Sequence, residues 1–165
     1  MSQMQNILLF SLFAGFIILE FLLGKAKAMR ASTGDNILDM LCFALLAGVT
    51  QPFIFWVVQQ AGLHWLPQYQ NALSGLPWLA MFALLLVGDD MTQYWWHRIS
   101  HSSVLWPLHR AHHSAQYMSA RIIYRNNFFY YLAMPGLWIS GLLIYLGFAE
   151  VYLVYIVIKL AVITG

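Results

Sequence analysis

The stretch DDMTQYWWHRISHSSVLWPLHRAHHS, Asp89 to Ser114, holds five of the six histidines of the chain: His97, His101, His109, His112 and His113. They form two boxes, H-x-x-x-H and H-x-x-H-H, joined by a short link, and the apolar run LAMFALLLVG leads directly into them. On a helix, Asp90, Tyr94, His97 and His101 fall on one stripe, because residues three or four apart share a face. His97 and His101 lie one turn apart, so both imidazoles can reach a common metal ion. His109, His112 and His113 offer two more pairs at helical spacing. Pro107 suits the first turn of a new helix, where a missing N–H costs nothing. The stretch therefore predicts a helix leaving an apolar layer, a sharp turn over residues 102–106, and a second short helix. The histidines of the two helices then face one another.

The remainder of the chain is nearly bare of ionisable groups. Its 165 residues are 61% hydrophobic, 16% aromatic and only 8% charged, with a mean hydropathy of +0.68. A soluble domain carries about 25% charged residues. Such a chain cannot cover a water-facing surface, which makes it an integral membrane protein. Its net charge of +2 is too small to suggest nucleic acid. The single cysteine, Cys42, excludes an internal disulfide and a cysteine metal site, and reads as a small apolar residue in a membrane helix.

The expected fold is all-α: a polytopic membrane helix bundle of four full spans and a partial fifth. It forms a single membrane domain over residues 1–165 with a cytoplasmic, histidine-bearing helical cap. The first span covers residues 7–24 and reads as a retained helix rather than a signal peptide, since no basic region precedes it. Glu20, near its end, is expected to snorkel or to pair with Lys25 or Lys27. Asp35 or Asn36 is expected to cap a second span over residues 37–61, kinked at Pro52. His64, Trp65, Tyr69 and Trp78 suit an interfacial aromatic belt. A third span starts near Leu76 and leaves the bilayer around Trp95 or Trp96. A fourth covers residues 128–146, broken at Pro135 and Gly136. The short turn GFAE then sends a fifth segment back as an antiparallel hairpin from about Val151. Lys25, Lys27, Arg30, Arg98, Arg110, Arg121 and Arg125 lie in two regions, after span one and between spans three and four. The positive-inside rule puts both in the cytoplasm and the N-terminus outside.

Five imidazoles within a 17-residue window at helical spacing point to metal binding. A zincin-type H-x-x-x-H needs glutamate beside its first histidine, and Arg98 stands there. Haem would want axial histidines on opposing helices, not a tandem cluster. All-nitrogen sites with many imidazoles suit zinc, iron and copper.

The pattern Asp90, Tyr94, Trp95, His97, Arg98, His101, then Leu105, Trp106, His109, His112, His113 and Ser114 resembles the fatty acid hydroxylase and sterol desaturase superfamily of membrane di-iron oxygenases. The resemblance is strong over residues 80–130. It implies two irons held by His97, His101, His109, His112 and His113, with O2 as oxidant. The substrate would be a lipid or sterol, and electrons would come from NAD(P)H through a separate redox protein. Asp90 and Tyr94 then support the ligands from behind, Arg125 meets a lipid headgroup or the substrate, and Arg98 and Arg110 face headgroups. Two departures stand out. Asn126 and Asn127 occupy a place where the family often has a histidine–proline pair, and no histidine follows His113. The family's third box is thus missing, and the chain is expected to be C-terminally truncated, with residues 1–165 alone inactive and incompletely loaded with iron. A non-catalytic membrane metal-binding protein and a zinc-dependent membrane enzyme are the alternatives.

Overall fold

The computed structural model describes residues 32–115 and 120–164, together with scattered helical positions between Ser11 and Leu22. Glu20, Lys25, Lys27 and Arg30 lie outside the described residues, as does most of the first expected span. Among the described residues every regular element is helical and no strand occurs.

Helix α1, Thr33–Leu45, starts at a reciprocal cap. The Ser32 hydroxyl accepts from the Asp35 N–H (3.0 Å), and the Asp35 carboxylate accepts from the Ser32 N–H (3.3 Å). Two of the helix's orphan donors are satisfied together. The cap is therefore Ser32, and Asp35 is its partner one turn in, rather than the cap itself. A π-helical turn, Leu46–Thr50, joins α1 to α2, Gln51–Trp65, without a break in the rod. Its position is explained by Pro52 in the first turn of α2. The proline ring has no N–H and crowds the preceding turn, so the backbone widens just upstream. The Thr50 hydroxyl donates to the Leu45 carbonyl (3.1 Å) within the widened turn.

Helix α3, Trp78–Ser100, carries the first histidine box. A one-turn helix α4, Trp106–His109, and a 3-10 turn, His112–Ser114, carry the second. After a 3-10 turn, Ala120–Tyr124, come α5, Phe128–Ala133, and α6, Pro135–Leu143. A second π-type turn, Ile144–Phe148, leads into α7, Ala149–Thr164.

The chain reverses at Gly147. Its φ of +118° is open to glycine and strained for any other residue. A Cβ there would also lie 3.0 Å from the backbone nitrogen of Ser74. The loop after α2 runs across this turn, with Asn71 N–H donating to the Tyr145 carbonyl (3.0 Å) and Leu73 N–H to that of Leu146 (2.9 Å). Gly136 at the start of α6 and Lys159 late in α7 consequently both reach Asp89.

Among the described residues, two stretches, Thr33–Trp65 and Pro135–Lys159, are long and apolar enough to cross a membrane. The second folds back at Gly147 rather than running straight. Helix α3 has the length of a span but is diluted by Asp89, Asp90 and its histidine box, and is not among the two. The core joins α1, α3 and α7 through Phe43, Met81, Leu85, Phe148, Val151 and Tyr155. Outside it, Leu41, Trp56, Leu79, Val87 and Val162 are each at least 60% exposed. Water would penalise that surface by roughly 25 cal/mol per Å²; lipid would not, and the exposed apolar shell suits membrane association.

Candidate metal centre

Helix α3 ends at Ser100. The Ser100 hydroxyl donates to the Trp96 carbonyl (2.6 Å), and the helix closes at His101. The chain then turns, with Ser102 N–H bonded to Ile99 and Trp106 N–H bonded to the Ser102 carbonyl (both 2.9 Å). Pro107 in the first turn of α4 aims the new helix back across the end of α3. His109 and His113 are thereby brought over His97 and His101.

The ligand nitrogens of His97, His101, His109 and His113 all lie within 4.8 Å of one another. His97 Nε2 and His101 Nε2 are 3.1 Å apart, and so are His109 Nε2 and His113 Nε2. The rings of His97 and His109 are 4.5 Å apart across the two boxes. Two nitrogens each bound at about 2.0–2.1 Å to one ion lie no more than about 4.2 Å apart, so each 3.1 Å pair has single-ion spacing. His112 stands beside the set, stacked on His109 at 5.2 Å. Trp106 covers the outer side, stacked on His113 at 5.5 Å.

The segment behind the second box fixes which nitrogen faces the cluster. His109 Nδ1 lies 3.1 Å from the Asn126 side-chain oxygen, and His112 Nδ1 lies 3.0 Å from the Ile122 carbonyl. Both oxygens can only accept, so each Nδ1 carries the proton and each Nε2 keeps its lone pair for a metal. The Asn126 amide is oriented by donating to the Tyr131 hydroxyl (3.4 Å) and the Ile123 carbonyl (3.5 Å).

Burial also favours the neutral form of His97, His109, His112 and His113. Burial, followed by the nearby charge of the other histidines, lowers His97 and His113 below their ordinary value. For His112 burial dominates, against the opposing effect of the hydrogen bond it donates to the Ile122 carbonyl. For His109 burial lowers the value to about 4 despite the bond to Asn126, and the ring is 1% exposed. Neutral imidazole is the form that binds a metal.

Arg125 does not face a headgroup or a substrate. It is 2% exposed, with Nε on Asp39 (2.6 Å) and Nη2 on Asp35 (2.9 Å). An arginine so desolvated is held by its two carboxylates, and it ties the segment behind the histidines to α1. Asp90 and Tyr94 are not brought to the cluster either. Asp90 is exposed, and Tyr94, 54% exposed, accepts a hydrogen bond from Arg98 (2.7 Å). The buried row of α3 runs through Met81 and Leu85 to Asp89, so the inward acid is Asp89. Extending that row by one more turn from the apolar residues would have found it. Lys159, an ammonium within the apolar run of α7, was equally visible as an anomaly. No sequence signal marks Ile122, whose contribution is a backbone carbonyl.

A cavity of about 280 Å³ opens beneath the cluster. His97, His109 and His112 line one end; Leu46, Leu137 and Ile156 are among its apolar walls; Asp89, Tyr155 and Lys159 line it further along. Asp89 precedes His97 by eight residues on a continuous helix, about 12 Å along the axis.

A family model described as fatty acid hydroxylase matches residues 82–164. Alkylglycerol monooxygenase from Danio rerio is 28% identical over 119 residues, which cover 70% of this chain and 26% of that protein. The chain thus spans well under two thirds of the relative it matches. No solved structure matches it.

Proposed function

Because the chain belongs to the fatty acid hydroxylase family, we propose that it is a membrane di-iron oxygenase that hydroxylates or desaturates a lipid or sterol at a C–H bond. The observation that carries this reading is the close set of four imidazoles at the mouth of an apolar-walled cavity. The cluster would hold a metal between the cavity lined by His97 and His109 and the exposed residues His101 and His113. The name of the matched relative, an alkylglycerol monooxygenase, supports a lipid substrate.

On this reading His97, His101, His109, His112 and His113 would hold iron. Bound iron supplies the O2 activation that an unactivated C–H bond requires. The protein does the rest. Ile122 and Asn126 keep the protons of His112 and His109 on Nδ1, so no ligand nitrogen is lost to a proton. Tyr130, stacked on His109 at 5.0 Å, closes the inner side of the ring. The apolar walls exclude water and align a chain towards the histidines. Electrons arrive from NAD(P)H through a redox protein at the outer face, where Trp106 lies over His113. The topology that suits this arrangement has the N-terminus outside, four spans, and the histidine cap in the cytoplasm. Residues 1–165 then act as one membrane domain.

Incubation of the iron-loaded protein, expressed at the full length its gene encodes, with isotopically labelled O2, a reductase and membrane lipid extract tests the proposal. Label in a lipid alcohol, or O2-dependent appearance of a new double bond, is the expected result. Four imidazoles also meet zinc's four-coordinate preference. Product formation without O2, supported by zinc alone, would identify the zinc-dependent alternative instead.

A further inference from the structure

The far part of the cavity holds charges that the metal site does not use. Asp89 accepts three hydrogen bonds at Oδ2: from Gln93 (3.1 Å), from the Tyr155 hydroxyl and from Lys159. Its Oδ1 receives none of the described hydrogen bonds and lies over Gly136, 3.4 Å from where a Cβ would stand. Asp89 and Lys159 are 9% and 20% exposed, and both line the cavity.

The helices do not need this pair to stay together. Leu85, Val151 and Tyr155 already join α3 to α7 through the apolar core, and an apolar replacement of a buried pair is often neutral. A charge pair inside apolar helices, facing a cavity, instead marks the path of a ligand. Its chemistry is specific. The pair is neutral overall, presents one vacant carboxylate oxygen as acceptor, and has an ammonium beside it as donor. That combination matches a hydroxyl group, which gives a proton to one and takes one from the other. A carboxylate would be repelled by Asp89, and a cationic head by Lys159.

We infer that Asp89 and Lys159 form a hydroxyl-recognition subsite, which selects neutral lipids carrying an alcohol remote from the C–H bond presented to the histidines. The inference rests on the reading of the cavity as the substrate site. The separation of about 12 Å along α3 sets the distance between the anchored hydroxyl and the reacting carbon. Gly136 is part of the subsite, because it leaves the space above Oδ1 that the hydroxyl fills.

The test is equilibrium binding to the metal-free full chain in nanodiscs, with three probes: decanol, decyl methyl ether and decanoate. The ether keeps an acceptor oxygen but cannot donate to Asp89. Decanol should bind at least about tenfold tighter than either of the others, as befits a hydrogen bond to a charged group. Gly136→Ala, whose added Cβ meets nothing closer than 3.4 Å, should bring the alcohol close to the ether. Asp89→Leu/Lys159→Met should bring the ratio to about one; if that pair fails to fold, Gly136→Ala decides. Equal binding of alcohol and ether by the unaltered chain, tightest binding of decanoate, or a preference that survives the variants overturns the inference. Binding is read without turnover. Intact alcohol selectivity with no oxygenation refutes the oxygenase reading alone, and oxygenation without selectivity refutes the subsite alone.

Discussion

Asn126 is the residue on which the second histidine box leans most. It accepts from His109 Nδ1 in a buried position and is itself oriented by Tyr131 and Ile123. Replacing a partner that orients a metal-bound histidine typically costs 10–100-fold in metal affinity, about 1.4–2.7 kcal/mol. Asn126→Leu should therefore bind iron one to two orders of magnitude more weakly in a chelator competition, while Asn126→Asp, which retains the acceptor, should lie much closer to the original. Equal affinity in Asn126→Leu would remove the residue from the account. Protonation gives a second prediction at the same scale. His97, His109, His112 and His113 all have folded values below the ordinary 6.5. The unfolded chain thus binds more protons than the folded one between about pH 6.5 and 4. The metal-free protein should be fully stable above pH 6.5 and should lose stability steadily as the pH falls through that window. Its melting temperature, followed from pH 7.5 to 4.5, should fall; a flat profile contradicts neutral, buried imidazoles.

At the level of elements, two joints set the geometry. Arg125 fastens the segment behind the histidines to α1 through Asp35 and Asp39. Removing one partner of a buried pair leaves the other charge uncompensated, at about 3–5 kcal/mol. Arg125→Met should lower the melting temperature sharply and weaken metal binding along with it; a headgroup arginine would lower neither. Gly147 is the second joint. Gly147→Ala meets both a left-handed backbone and the Ser74 backbone at 3.0 Å, and should destabilise by about 1–3 kcal/mol, read as a shift in chemical or thermal unfolding in detergent. These joints also mark what the sequence could and could not disclose. The boxes, the turn at Pro107, the disruption at Pro52 and the reversal within GFAE were legible, because each follows from local backbone chemistry. The role of Arg125 was not, because its partners lie 86 and 90 residues away. The inward acid was misassigned for a related reason. Counting turns back from His97 aligns Asp90 with the ligand, but the packing of α6 and α7 against α3 chooses the face, and that face carries Asp89.

Across the whole molecule, an apolar bundle surrounds a cavity whose two ends are chemically different. One end carries imidazoles; the other carries a charge pair in which one carboxylate oxygen receives none of the described hydrogen bonds. Among the described residues two stretches have membrane length and hydropathy, and their arrangement follows from tertiary packing that periodicity cannot supply. Four imidazoles close together at the first end form a donor set suited to a metal ion, and Leu46, Leu137 and Ile156 are among the apolar walls between the ends. Metal content is the most direct measure of this picture. The protein purified from cells grown with both iron and zinc should carry iron. That iron should be lost from His97→Ala and from His109→Ala but retained in His64→Ala, whose imidazole is exposed on α2. Zinc in place of iron, or an iron content indifferent to His97 and His109, would contradict the account.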